Sequence, residues 1–120
     1  MKEPAVTSVI TQISDDSLAP LDAVAGDRLQ LLVFGATWCG PCKAMAPVIE
    51  EIANVYAQEV AVAKIDIEQS PEIATAFQVR GVPTLVLRRE TELGRHTGML
   101  TRTRLSLMLD AALEQRDAIA

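Results

Sequence analysis

The stretch Leu31 to Pro47, "LLVFGATWCGPCKAMAP", runs from an unbroken apolar segment into a helix-like one and carries the chain's only cysteines, Cys39 and Cys42. The run "LQLLVFG", Leu29 to Gly35, shows no apolar-polar alternation, as expected of a strand covered on both faces, and so of a central strand. From Pro41 to Gln58 the pattern changes. Met45, Val48, Ile49, Ile52 and Val55 recur at spacings of three and four, with Glu50 and Glu51 turned away, as on an amphipathic helix. Pro41 suits the first helical turn, whereas Pro47 falls inside the helix and is expected to kink it. The two cysteines therefore stand where a buried strand gives way to a helix.

A structural zinc site normally needs four ligands, of which C-x-x-C supplies two. The chain has no third cysteine and a single His, His96, which reads as a surface residue on an edge strand. A purely structural disulfide across two intervening residues would close a tiny loop and remove little unfolded-state entropy. A pair of inert thiols would leave unexplained why both lie at the junction beside Trp38. A reactive pair has a mechanism. Cys39 precedes the helix, where open N–H groups and the positive end of the dipole favour a thiolate and lower the thiol pKa from about 8.5. Cys42, one turn further in, lies within disulfide reach, has fewer open donors and is expected to be buried.

Working outward, Val6 to Ile13 reads as a first strand, and "SDDS", Ser14 to Ser17, offers N-cap oxygens to a short helix broken near Gly26. "VAVAKIDIE", Val60 to Glu68, returns to strand character. Ser70, Pro71 and Glu72 supply an N-cap, a first-turn proline and a dipole-complementing acid for a short helix through Phe77. A fourth strand is expected over about Thr84 to Arg89, and a fifth at "GRHTG", Gly94 to Gly98, after a loop at Glu90 to Leu93. Thr101 can cap a last helix whose apolar stripe is Leu105, Met108, Leu109 and Leu113. Alternating strands and helices point to an α/β sandwich, helices on both faces of one sheet.

At 120 residues with 49% apolar content, one domain over 1–120 with a sizeable core is expected. A net charge of −5 argues against nucleic-acid binding. Charge is uneven: the segment Arg80 to Arg104 carries +4 and the remainder −9, which reads as two solvated faces or as a charge-selected protein surface. The N-terminal residues lack the apolar run of a secretory signal, and no segment is apolar enough to cross a bilayer, so a cytoplasmic protein without membrane contact is expected. In that reducing compartment a persistent structural disulfide would be unusual.

The motif "WCGPC" between a buried strand and a helix resembles the thioredoxin family. The resemblance spans nearly the whole chain, through "CKAMAP", "AKIDI" with Lys64, "RGVPT" and Gly98, in the family's order. It implies a thioredoxin fold: a five-stranded mixed sheet of order 1-3-2-4-5 flanked by four helices, two on each face, with the last two strands antiparallel to the others. It implies a cis bond before Pro83, with Pro83 against the cysteine pair and the Val82 backbone open to an extended substrate segment. Trp38, Gly40, Pro41, Val82, Pro83, Gly98 and Met99 would then form a flat apolar patch around Cys39. The implied activity is protein-disulfide reduction by dithiol-disulfide exchange, with Cys39 attacking and Cys42 resolving. It needs no bound cofactor beyond the redox-active Cys39–Cys42 disulfide, and implies an NADPH-dependent thioredoxin reductase as the source of electrons; a monomer is expected.

Two departures qualify the resemblance. Where the family usually has a buried Asp five residues before Trp38, this chain has Val33; where another Trp is common three residues before Trp38, it has Gly35. Without the carboxylate, the resolving step must use water, the leaving thiolate or Lys64, and a slower resolving step is expected. Lys64 is expected to lose its partner, and Gly35 to open space beside the active-site loop. These departures and the basic segment keep two alternatives in view: a docking or chaperone module with secondary redox activity, and an oxidoreductase dedicated to one substrate.

Overall fold

The computed structural model describes residues 9–119, with side chains through Gln115. The strands are β1 (Ile10–Ile13), β2 (Leu29–Gly35), β3 (Val60–Asp66), β4 (Thr84–Arg88) and β5 (Glu92–Thr97). The helices are α1 (Ala19–Ala25), α2 (Gly40–Val55), α3 (Pro71–Ala76) and α4 (Arg102–Ile119). The sheet order is β1-β3-β2-β4-β5, as expected, with β2 at its centre. The part of the expected first strand before residue 9 lies outside the described residues.

Only β4 opposes the rest of the sheet. β1, β3 and β2 pair in parallel, β4 pairs antiparallel with β2, and β5 antiparallel with β4, so β5 runs with the first three strands. This corrects the expectation of two reversed strands: a short loop between β4 and β5 can only join antiparallel neighbours. β5 also begins at Glu92 rather than Gly94, and α2 ends at Val55 rather than Gln58.

The unbroken apolar run of β2 has the reason anticipated for it, since helices cover both sheet faces. On one side Leu29, Leu31, Val33, Val62, Leu85 and Leu87 meet Met45, Ile49 and Ile52 of α2 and Leu105 and Leu109 of α4. On the other Leu32, Phe34, Ala63 and Ile65 meet Leu21 and Ala25 of α1 and Ile73 of α3. Ile52, Leu105 and Leu109 are fully buried, each contributing about 1.5–3 kcal/mol of transfer free energy. Met108 and Leu113 pack at the margin of the first cluster, completing the expected stripe of α4.

The capping of α3 departs from the local reading. Ser70 occupies the N-cap position, but its hydroxyl donates to the Asp15 carbonyl at 2.7 Å, while the Asp16 carboxylate accepts the N–H groups of Glu72 and Ile73 at 2.8 and 3.1 Å. The β1–α1 loop is thereby tied to the start of α3. The N-cap residue of α1 is Leu18, just past the expected stretch, and it has no side-chain cap; the Ser17 hydroxyl does accept the Ala19 N–H. Thr101 caps α4, its hydroxyl accepting the Arg104 N–H at 3.1 Å.

Candidate active site

Cys39 is the N-cap residue of α2, and its extended backbone turns the chain out of β2 and into the helix. Its Sγ accepts the Cys42 N–H at 3.1 Å, one of the donors that the first helical turn leaves open. The two cysteines form a disulfide, with Cα atoms 5.3 Å apart. Gly40 and Pro41 lie exposed between them, Pro41 in the first turn as expected.

The burial of the pair is opposite to the expectation. Cys39 is only 4% exposed, and Cys42 is the partly exposed member. Gly35 stands beside the pair: a Cβ there would lie 3.3 Å from the Cys42 Sγ, so a side chain at this position would crowd that sulfur and glycine leaves space next to it. The space beyond is a cavity of about 490 Å³, whose lining includes Val33, Gly35, Cys42, Lys64 and Pro83. The expected opening beside the active-site loop is therefore real and lies behind Cys42.

The sheet register explains what faces this cavity. Val33 of β2 is paired with Lys64 of β3, which is paired with Gln12 of β1, so the three stand in one row across the sheet under the first turns of α2. Val33 is 8% exposed and brings methyl groups to the place where the family's carboxylate was expected. Lys64 is half-buried and makes no ion pair with any described residue, which fits the expected loss of its partner.

The Val82–Pro83 bond is cis, as expected, and Pro83 lines the cavity together with Cys42. The Pro83 carbonyl accepts the Gly98 N–H at 2.8 Å, tying the end of β5 to the start of β4. Gly98 has φ of 105°, a conformation a side chain would strain, which accounts for glycine there. Met99 is exposed, and His96, half-buried, bonds through Nε2 to the Met99 carbonyl at 3.3 Å. Trp38 is 63% exposed, a conspicuous position for the chain's single Trp.

A positioning contact escaped the sequence reading. The Trp38 indole N–H donates to the Glu68 carboxylate at 3.0 Å. Glu68 is placed in turn by Asp66, whose carboxylate accepts the Glu68 N–H at 2.7 Å. No local signal could reveal a contact across 30 residues. The basic segment, by contrast, proves partly occupied by structure: Arg95 is bonded to Glu92 and to the Phe77 carbonyl, Arg102 pairs with Glu51, and Arg88 lies over the Phe77 ring.

A family model described as thioredoxin matches residues 10–111. The thioredoxin of Acidithiobacillus ferridurans is 38% identical over 109 residues, which cover 90% of this chain and 100% of that one. A bifunctional thioredoxin reductase/thioredoxin of Mycobacterium leprae is 40% identical over 87 residues, 72% of this chain and 19% of the longer relative. Among solved structures, the germline-specific thioredoxin Deadhead of Drosophila melanogaster superposes with a TM-score of 0.74 at 31% identity, covering 82% of this chain and 97% of that chain.

Proposed function

The chain belongs to the thioredoxin family and is a thiol-disulfide oxidoreductase; from that premise we propose that it reduces protein disulfides with Cys39 as attacking and Cys42 as resolving thiol. The observation that carries this assignment is the bond from the Cys42 N–H to the Cys39 Sγ at the start of α2. A donor already aimed at that sulfur, with the helix dipole behind it, favours its thiolate. The Cys39 thiolate attacks one sulfur of the substrate disulfide, and the other leaves as a thiolate and takes a proton from solvent. Cys42 then loses its proton, attacks the Cys39 Sγ and expels the second substrate thiolate, leaving the Cys39–Cys42 disulfide.

Substrate reaches the pair across the exposed face of Trp38, Gly40, Pro41 and Met99. Val82, just before β4, enters no main-chain hydrogen bond with a described residue, which supports its role in pairing with an extended substrate strand, with Pro83 and Gly98 shaping that edge. Lys64 and cavity water handle the Cys42 proton in place of the absent carboxylate. The protein works without a bound cofactor, and the disulfide itself is the redox group. The fused reductase in the Mycobacterium leprae relative supports an NADPH-dependent thioredoxin reductase as electron donor. Among the described residues no helix is long and apolar enough to cross a membrane, and we place the protein in the cytoplasm as a monomer.

The experiment is insulin reduction with dithiothreitol as electron source. The chain should accelerate insulin precipitation several-fold over dithiothreitol alone; no acceleration would remove the general-reductase reading and leave the docking-module alternative.

A further inference from the structure

The Cys39–Cys42 disulfide can be opened at either sulfur, and the two are unlike. As residues, Cys39 is 4% exposed and does not line the cavity beside the pair, whereas Cys42 is partly exposed and lines it, with its Sγ next to the gap that Gly35 leaves. The cavity of about 490 Å³ on that side falls within the range of about 300–1,000 Å³ in which small molecules are bound. A folded protein substrate is too large to enter it. Its cationic groups are Lys43 and Lys64, neither in an ion pair with a described residue, while the carboxylate that lines it, Asp66, accepts the N–H groups of Glu68 and Gln69. Gln12, Gln69 and Thr37 supply neutral polar groups around it.

We infer that this cavity is the entry site for a low-molecular-weight thiol bearing a carboxylate, which reduces the oxidised protein by attacking the Cys42 Sγ. The inference rests on the reading of the cysteine pair as the redox centre and adds a second, small-molecule door to it. In the first step the small thiol, having lost its proton to solvent, forms a bond to the Cys42 Sγ. The Cys39–Cys42 bond breaks, and its electron pair leaves on Cys39. A thiolate that is already stabilised leaves faster, and Cys39 is the sulfur that accepts the helix N–H. A second small thiolate then attacks the outer sulfur of the mixed disulfide. The small disulfide departs, and the Cys42 thiolate takes a proton from cavity water. Two small thiols are oxidised and one protein disulfide is reduced. Lys64 and Lys43 hold the carboxylate, and the thiolate is aimed at Cys42.

The test uses the oxidised full-length chain and glutathione, a tripeptide thiol with two carboxylates. After brief mixing the reaction is quenched with acid, free thiols are alkylated with N-ethylmaleimide, and the adducts are located by peptide mass spectrometry. Glutathione should be found on Cys42 and the alkyl group on Cys39, roughly tenfold in excess over the reverse pattern. Equal or greater labelling of Cys39 by glutathione, or no adduct, overturns the proposal. In a second arm Lys64→Met should slow reduction by glutathione about two- to fivefold more than reduction by 2-mercaptoethanol, which carries no carboxylate; equal slowing overturns the carboxylate site. Insulin turnover by the same preparation is read separately. An adduct on Cys42 supports the proposal even where insulin is left intact, and one on Cys39 overturns it even where insulin is reduced.

Discussion

Replacing Val33 by Asp puts a carboxyl group into a position that is 8% exposed, opposite Lys64 in register and on the cavity that reaches Cys42. Two consequences of opposite sign follow. Loss of the buried valine costs about 1.5–3 kcal/mol of transfer free energy. Burial also pushes the new carboxyl upward from its ordinary value near 3.9; if Lys64 limits the rise to about two units, ionisation costs about a further 2.7 kcal/mol at pH 7. A folded-state pKa above the unfolded one makes stability fall as pH rises through the interval between them. The penalty therefore grows from about pH 4 to pH 6 and is level above. Between pH 5 and pH 7 the Val33→Asp protein should lose about 1.3 kcal/mol more than wild type, measured by urea unfolding of the oxidised forms. The same carboxylate can take the Cys42 proton, and general-base assistance of this kind is worth about 100-fold or more, that is at least about 2.7 kcal/mol of barrier. Rapid-quench trapping of the mixed disulfide with a protein substrate should show a shorter-lived intermediate in Val33→Asp than in wild type. An equal or longer lifetime in a folded variant would refute the reasoning, because proton removal from Cys42 would then not limit resolution.

Asp16→Ala should destabilise the chain by about 1 kcal/mol in urea unfolding, because the N–H groups of Glu72 and Ile73 lose their acceptor; Ser70→Ala, which leaves that cap in place, should not reproduce the loss through α3 capping. Arg95 holds the Glu92 carboxyl below its ordinary value, chiefly by a direct hydrogen bond. The pair's contribution is therefore present above the unfolded-state pKa of Glu92 and is lost as pH falls through the folded one. Glu92→Gln should cost under about 1 kcal/mol at pH 7, since both groups are well exposed, and nothing at pH 2, as read from paired urea titrations.

The fold was legible wherever a single segment carried its own reason. β2 reads as central because it is apolar on both faces, and α2 because its stripe repeats at helical spacing beside a first-turn proline. β5 was read too short because its residues alternate only weakly between exposed and half-buried, so its first residues resemble a loop. The α3 cap was misassigned to the Ser70 side chain because the group that accepts the helix donors, Asp16, is 56 residues away in sequence. At the site, the cysteines and the cis bond before Pro83 followed from the motif and the resemblance. The exposure of Cys42 did not. Gly35 reads as opening space beside the active-site loop, but which cysteine faces that space is set by how the start of α2 sits against the end of β2, which no local pattern records. The tether from Trp38 to Glu68 was hidden for the same long-range reason.

The division of labour between the cysteines is tested most directly by trapping with single-cysteine variants. Reduced Cys42→Ser and Cys39→Ser proteins are each mixed with insulin at pH 7, and stable mixed disulfides are counted on non-reducing gels. The Cys42→Ser protein should accumulate the complex, because the Cys39 thiolate at the start of α2 attacks and nothing resolves it, while Cys39→Ser should trap little. A complex that accumulates faster in Cys39→Ser than in Cys42→Ser would contradict the account and make Cys42 the attacking thiol.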